Sequence, residues 1–270
     1  MVPITKLTNF LRRAKRAPWI LGQRLVRAPS NIDSSVSDLF IWISDDDWKT
    51  FFELIGICGL FEDKPSKALL YLYDKNGNTL GIHSFELDTH KKTTINISKL
   101  LPSNSGDFGT FSIFHMSSPR SITQYESFIA ERGYTGYQYK SSTLLSFVHG
   151  NHDAIAYNRK SEKTELLGSS SLFKRDFNLQ YLLEPEHKYF IGIVNNSNFE
   201  KNIKLSVVKN KNLYGTLYYN EFVIKPNGIH FAFVQLKSGQ KGRVVINSKL
   251  IMARPIIIRI KGNNMDVFHG

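Results

Sequence analysis

Cysteine is almost absent: Cys58 is the only one in 270 residues. That excludes an internal disulfide framework and any zinc cluster built from several thiolates. Long apolar runs are missing too, none reaching the roughly 18–20 residues that a membrane-spanning helix needs. Arginines occupy the stretch where the apolar core of a signal peptide would stand, so the expected location is the cytoplasm. No Gly-x-Ser-x-Gly elbow, dinucleotide-binding glycine motif or phosphate-binding loop occurs, which removes the common nucleophile and nucleotide signatures. Cys58 itself sits within Ile55-Gly56-Ile57-Cys58-Gly59-Leu60, where a core thiol is expected. Against these absences, 41% of the residues are hydrophobic and 13% aromatic, enough for a packed core.

The formal charge of +12 is concentrated at the start. Lys6, Arg12, Arg13, Lys15, Arg16, Arg24 and Arg27 all precede Ser30, and the first acid is Asp33. Ile4, Leu7, Phe10, Leu11 and Ala14 recur at helical spacing, which predicts an amphipathic leader helix ended or kinked by Pro18. Arg12, Arg13, Lys15 and Arg16, followed by Trp19, suit contact with an anionic membrane surface or another acidic polymer. Nucleic acid ranks lower among these partners, and packing of the helix on the protein's own body is the bland alternative.

Past Ser30 the period becomes that of strands. Short segments rich in β-branched and aromatic residues alternate with turn signals, which points to antiparallel all-β structure. Phe51 to Leu60, Ala68 to Tyr73, His83 to Leu87, Thr93 to Ile97 and Thr110 to His115 are predicted strands of a first half. Tyr189 to Val194, Ile203 to Val208, Leu217 to Ile224, Ile229 to Leu236 and Arg243 to Ile246 follow in a second. Asp74-Lys75-Asn76-Gly77 reads as a hairpin turn. Ile55-Gly56-Ile57 has a counterpart in Ile191-Gly192-Ile193, and Val148-His149-Gly150 has one in Phe268-His269-Gly270. The expected organisation is a basic leader over residues 1–30 and two tandem antiparallel β-sandwich domains over 31–150 and 151–270, with a polar linker or hairpin tip at 161–171.

The second half is similar to the sensory rhodopsin transducer family and related small β-sandwich proteins. The resemblance rests on Asn195-Asn196 after an apolar strand, the strand at Ile203 to Val208 and the Pro226-Asn227-Gly228 turn. The strand at Ile229 to Leu236 and Arg254-Pro255-Ile256-Ile257 before the last strand complete it. It covers about 80 residues and holds no catalytic motif. It implies a compact sandwich that oligomerises or binds ligands and partners, and no reaction.

Gly150-Asn151-His152-Asp153 resembles the Gly-Asn-His-Asp/Glu block of calcineurin-like metallophosphoesterases, which would imply metal ligands at Asp88, His90, Asp107, Asn151 and His187. Thr110 stands where the Gly106-Asp107 block should close on an acid, and the later Gly-His-x-His block is missing. A smaller metal set, His149, His152 and Asp153, would serve a metal-dependent hydrolase. A polar turn joining two domains is the simpler reading. Ser44-Asp45-Asp46-Asp47-Trp48 lacks the spacing of a calcium loop and reads as an exposed turn.

Glu131 to Tyr139 interleaves tyrosines with Arg132 and two glycines, a pattern suited to a flat platform for sugar rings. The candidate ligand contacts are therefore Arg132, Tyr134, Tyr137 and His149, with Arg254 and His269 at similar places in the second half. The expected function is a non-catalytic binding or assembly module that contacts glycan or a partner enzyme, forms a homo-oligomer and uses no cofactor. Its rivals are the hydrolase and a structural subunit of a particle or filament with a basic arm.

Overall fold

A computed structural model of the chain describes residues 19–20, 23–24, 26–30, 34–117, 130–131, 133–209, 215–251 and 255–270. The first strands are β1 (Trp19–Ile20), β2 (Gln23–Arg24), β3 (Ser35–Ile43), β4 (Trp48–Ile55), β5 (Ser66–Asp74), β6 (Thr79–Leu87) and β7 (Lys92–Asn96). Next come β8 (Phe108–His115), β9 (Ala130–Glu131), β10 (Tyr134–Tyr139), β11 (Ser146–Val148), β12 (Asn151–Asn158) and β13 (Lys163–Leu166). The remainder are β14 (Ser170–Leu183), β15 (Lys188–Val194), β16 (Lys201–Lys209), β17 (Thr216–Ile224), β18 (Ile229–Gln235), β19 (Gly242–Leu250), β20 (Ile256–Lys261) and β21 (Asn264–His269). A single turn and a half of helix, α1 (Ile57–Glu62), follows β4.

Four sheets, or blades, form the body. Their orders are β11-β10-β4-β7, then β13-β12-β3-β8-β5-β6 with β9 beside β3, then β14-β19-β16-β17 and finally β18-β15-β20-β21. Apart from the parallel β3–β9 pair, neighbouring strands run antiparallel. Each of β5 and β16 buries alternate residues, Ala68, Leu70 and Leu72 in one and Ile203, Leu205 and Val207 in the other, as the two-residue period of a strand requires.

This four-bladed arrangement overturns the expected pair of transducer-like sandwiches behind a helix. A free-standing sandwich leaves the outer face of each sheet wet, but all nine residues of β3 are buried. Phe40 and Trp42 point into a core with Phe52, Leu54, Leu70 and Phe111. Leu39, Ile41 and Ile43 enter another, shared with Trp48 and Tyr137 of the first sheet and with Ile229, Ile256 and Ile258 of the fourth. The two halves thus pack through a common core. The expected break after Gly150 is bridged as well, because β12 pairs with β3 and β13 extends the same sheet. A third core joins Leu179, Ile203 and Ile246 of the third sheet to Tyr189, Ile191 and Val234 of the fourth.

The predicted leader helix over Ile4 to Ala14, with Arg12, Arg13, Lys15 and Arg16, lies outside the described residues. The described part of that segment is extended instead: Trp19 pairs with Arg24 and Ile20 with Gln23. Val26 then bridges Gly168. The strand expected to continue to Leu60 stops at Ile55 and gives way to α1. Gly59 lies so close to Thr89 that a Cβ would stand 2.8 Å from its Cα, an approach that only glycine allows.

Two turns dock the halves. Asp74 Oδ1 accepts from the backbone N–H groups of Asn76 and Asn78, and Gly77 sits at φ 83°. Ile229 N–H donates to Lys75 O at 3.0 Å, which presses this turn onto Pro226-Asn227-Gly228.

Candidate functional site

A concavity lies where the halves meet. The β3–β4 turn forms one wall: Asp45 Oδ1 accepts from the N–H groups of Asp47 and Trp48 at 2.8 and 2.9 Å, the local bond that makes Asp a turn residue. Ser44 N–H donates to Asp107 O at 2.8 Å, so the segment before β8 is fixed beside that turn. Asp45 and Asp107 are both exposed, and Trp48 is nearly buried.

The fourth sheet supplies the opposite wall. Tyr189, Ile191 and Ile193 of β15 turn into one core, so Phe190 projects from the other face. Cross-strand pairing sets Phe190 opposite Phe233 and Ile258, and Gly192 opposite Phe231. A side chain at Gly192 would meet the Phe231 ring at 2.7 Å, so glycine lets that ring lie flat across the strand. Phe108 and Phe231 meet edge to face at 5.2 Å, and Phe190 lies 5.3 Å from Phe233. Together these rings and the two carboxylates line a groove of about 300 Å³. A second, more polar hollow of about 270 Å³ lies between Tyr139, Ser146, Asn264 and Asp266, the last paired with Arg259 at 3.0 Å.

The residues singled out from sequence are partly gathered and partly dispersed. Tyr134 pairs across to His149, their rings 4.2 Å apart, on an exposed face that Phe147 shares. Tyr137 belongs to the core, 1% exposed, and donates its hydroxyl to Ile41 O at 2.8 Å. His269 lies at the end of the corresponding edge strand, β21, in the fourth sheet. Arg132 and Arg254 lie outside the described residues, and Trp19 is described only as part of a strand.

The Gly150–Asp153 motif is a bulge. Asn151 pairs with Leu39 and Ile155 with Ser37, so extra residues accumulate on β12 and Asp153 takes φ 41°. Its N–H donates to Asp38 Oδ1 at 2.8 Å, and a side chain at Gly150 would meet Asp38 Cβ at 2.7 Å. Asp38 is fully buried, and the motif covers it. The presumed two-metal set disperses. Asp88 pairs with Lys91, His90 with Asp63, Asp107 lines the groove, and His187 rests near the Tyr189 ring. Among the described residues no group of three His, Cys, Asp or Glu side chains is placed to hold a metal ion.

Sequence reasoning missed Phe190, Phe231, Phe233 and Asp38, and named Asp107 only as a metal ligand. The available signal was apolar residues on both faces of β15 and β18, where a half-wet strand would alternate.

No protein-family model matches the chain, and no curated protein matches it. Among solved structures, a β-glucuronidase from glycoside hydrolase family 2 aligns at 10% identity and TM-score 0.17, over 91% of this chain and 25% of that one. The oxalate decarboxylase of Bacillus subtilis aligns at 10% identity and TM-score 0.14, over 80% of this chain and 65% of that one. The chain thus spans a quarter of the first and about two thirds of the second, and likeness at this level carries no argument. Among the described residues no helix is long and apolar enough to cross a membrane.

Proposed function

We propose that the protein is a non-catalytic binding module whose groove between the halves receives a glycan. The observation that carries this reading is the joining of Trp48, Phe108, Phe190, Phe231 and Phe233 with Asp45 and Asp107 around one concavity. Aromatic rings pack against the C–H faces of sugar rings, and carboxylates accept hydrogen bonds from hydroxyl or ammonium groups. Two acids at the mouth of the groove disfavour uronic or sulfated sugars by like-charge repulsion, so neutral or amine-bearing saccharides are the expected ligands.

Calorimetric titration with neutral, amino and acidic oligosaccharides tests it. Phe233, 45% exposed, can be truncated without opening the core. Phe233→Ala should weaken binding about tenfold, the size of one lost stacking contact. Asp107→Asn should remove any preference for amino sugars. Absence of saccharide binding in the wild type would sink the function. Binding that survives Phe233→Ala and disappears in Tyr134→Ala would move the site to the Tyr134–His149 face.

A further inference from the structure

A second surface, at one end of the third sheet, combines apolar tips with cations. Ser170 pairs with Leu250 and Arg175 with Ser248, so Ser171 to Lys174 bulge opposite Lys249 alone. Ser171 is buried, and its Oγ accepts from the Phe173 N–H and from Arg175 Nε, which holds the bulge in shape. The result is to push Leu172 and Phe173 outward, 78% and 76% exposed.

The loop between β15 and β16 ends on the same side. Gly168 N–H donates to Asn196 O at 2.8 Å, and Ile251 N–H to Ser169 O, tying that loop and the end of β19 to the start of β14. Asn195 Nδ2 donates to Phe199 O, and Phe199 stands 72% exposed. Lys201 Nζ lies 5.7 Å from the Phe199 ring centre. Lys201 itself is buried, and burial and then the charge of Lys249 hold its ammonium below its usual range. Lys174 and Lys249 are exposed, and Glu200 is the acid of the Phe199 loop.

The chain start converges here too. Val26 bridges Gly168, and Arg27 N–H donates to Leu167 O at 2.6 Å. These two contacts hold residues 26 and 27 beside the start of β14. Large apolar side chains are costly to leave in water, and three of them at the end of the sheet that carries the exposed Lys174 and Lys249 match the two-part chemistry of an anionic bilayer surface.

We infer that this end of the protein docks on an anionic membrane surface, with Leu172, Phe173 and Phe199 entering the headgroup–acyl boundary. Lys174 and Lys249 meet the lipid phosphates. The full chain should cosediment with vesicles of phosphatidylcholine containing about a third phosphatidylserine, and far less with phosphatidylcholine alone. The double substitution Leu172→Ser and Phe173→Ser should weaken anionic-vesicle binding at least about tenfold, with circular dichroism unchanged, because both side chains lie outside the core. Lys174→Glu with Lys249→Glu should remove the preference for phosphatidylserine. The inference is overturned if the wild type ignores anionic vesicles, or if the Leu172/Phe173 variant binds them as tightly as the wild type. Binding to duplex DNA in place of vesicles would overturn it equally, since phosphates alone make no use of the apolar bulge.

Discussion

Tyr137 offers the sharpest separation between a binding platform and a core. Its ring is 1% exposed and its hydroxyl donates to Ile41 O at 2.8 Å, and burial drives its phenol far above the ordinary tyrosine range. Tyr137→Phe keeps the ring and deletes one buried hydrogen bond. A net bond contributes about 0.5–1.5 kcal/mol, and a carbonyl left short of a partner adds to the loss, so about 1–2 kcal/mol is expected. In a chain of this size that lowers the melting temperature by roughly 2–6 °C. Tyr137→Ala also empties the space of the ring and should cost about 3–5 kcal/mol. Tyr134→Ala removes a half-exposed ring that lies tilted against His149 and should cost under about 1 kcal/mol. Urea unfolding of the three variants, with saccharide titration of each, measures both effects. Unchanged stability with lost saccharide binding in Tyr137→Phe would refute the assignment of Tyr137 to the core.

Two further outcomes concern titration and reactivity. Burial, the leading cause in each, raises Tyr71 and Tyr189 from 10.0 to about 12. The folded protein therefore holds protons that the unfolded chain has released. This contribution to stability is complete below about pH 10 and is lost as pH climbs to about 12. Ultraviolet titration of tyrosinate should show late groups that ionise together with unfolding; ionisation of every tyrosine near pH 10 with the fold intact would contradict this. Cys58 is 4% exposed, and burial followed by the charge of Glu62 raises its thiol. Alkylation of the native protein at pH 8 should run at least about 100-fold slower than in denaturant, and rapid labelling would show that the site opens readily.

Legibility in the sequence followed burial on one face. The alternating strands β5, β16 and β17 and the turns at Asn76-Gly77 and Asn227-Gly228 announce themselves, because a half-buried strand must alternate and a positive φ selects Gly or Asn. By contrast β3 hides, since Ser35-Val36-Ser37-Asp38 at its start is polar yet buried, and both of its faces are covered. The His-Gly ends of the two halves mark similar edge strands, but nothing local reveals that β12 returns to β3. The candidate groove was out of reach for a related reason. Its rings come from β4, β8, β15 and β18 and its acids from two turns, so no spacing joins them until the sheets have packed. The Gly-Asn-His-Asp motif misled in the other direction: Gly150 and the Asp153 N–H serve a tight bulge over the buried Asp38 carboxylate.

The return of β12 and β13 also dictates when the first half can be completed during synthesis. Strand β3 is synthesised more than a hundred positions before its pairing residues Asn151 to Tyr157, and the Ile256–Ile258 segment that covers its other face follows about a hundred positions after those. Until then Ser35 to Leu39 presents an unpaired strand edge beside an uncovered apolar face, the surface on which nascent chains mispair with one another. A fragment ended at Gly150 would keep that edge permanently open. Strand β3 therefore stays incomplete until β12 and β20 have both been made.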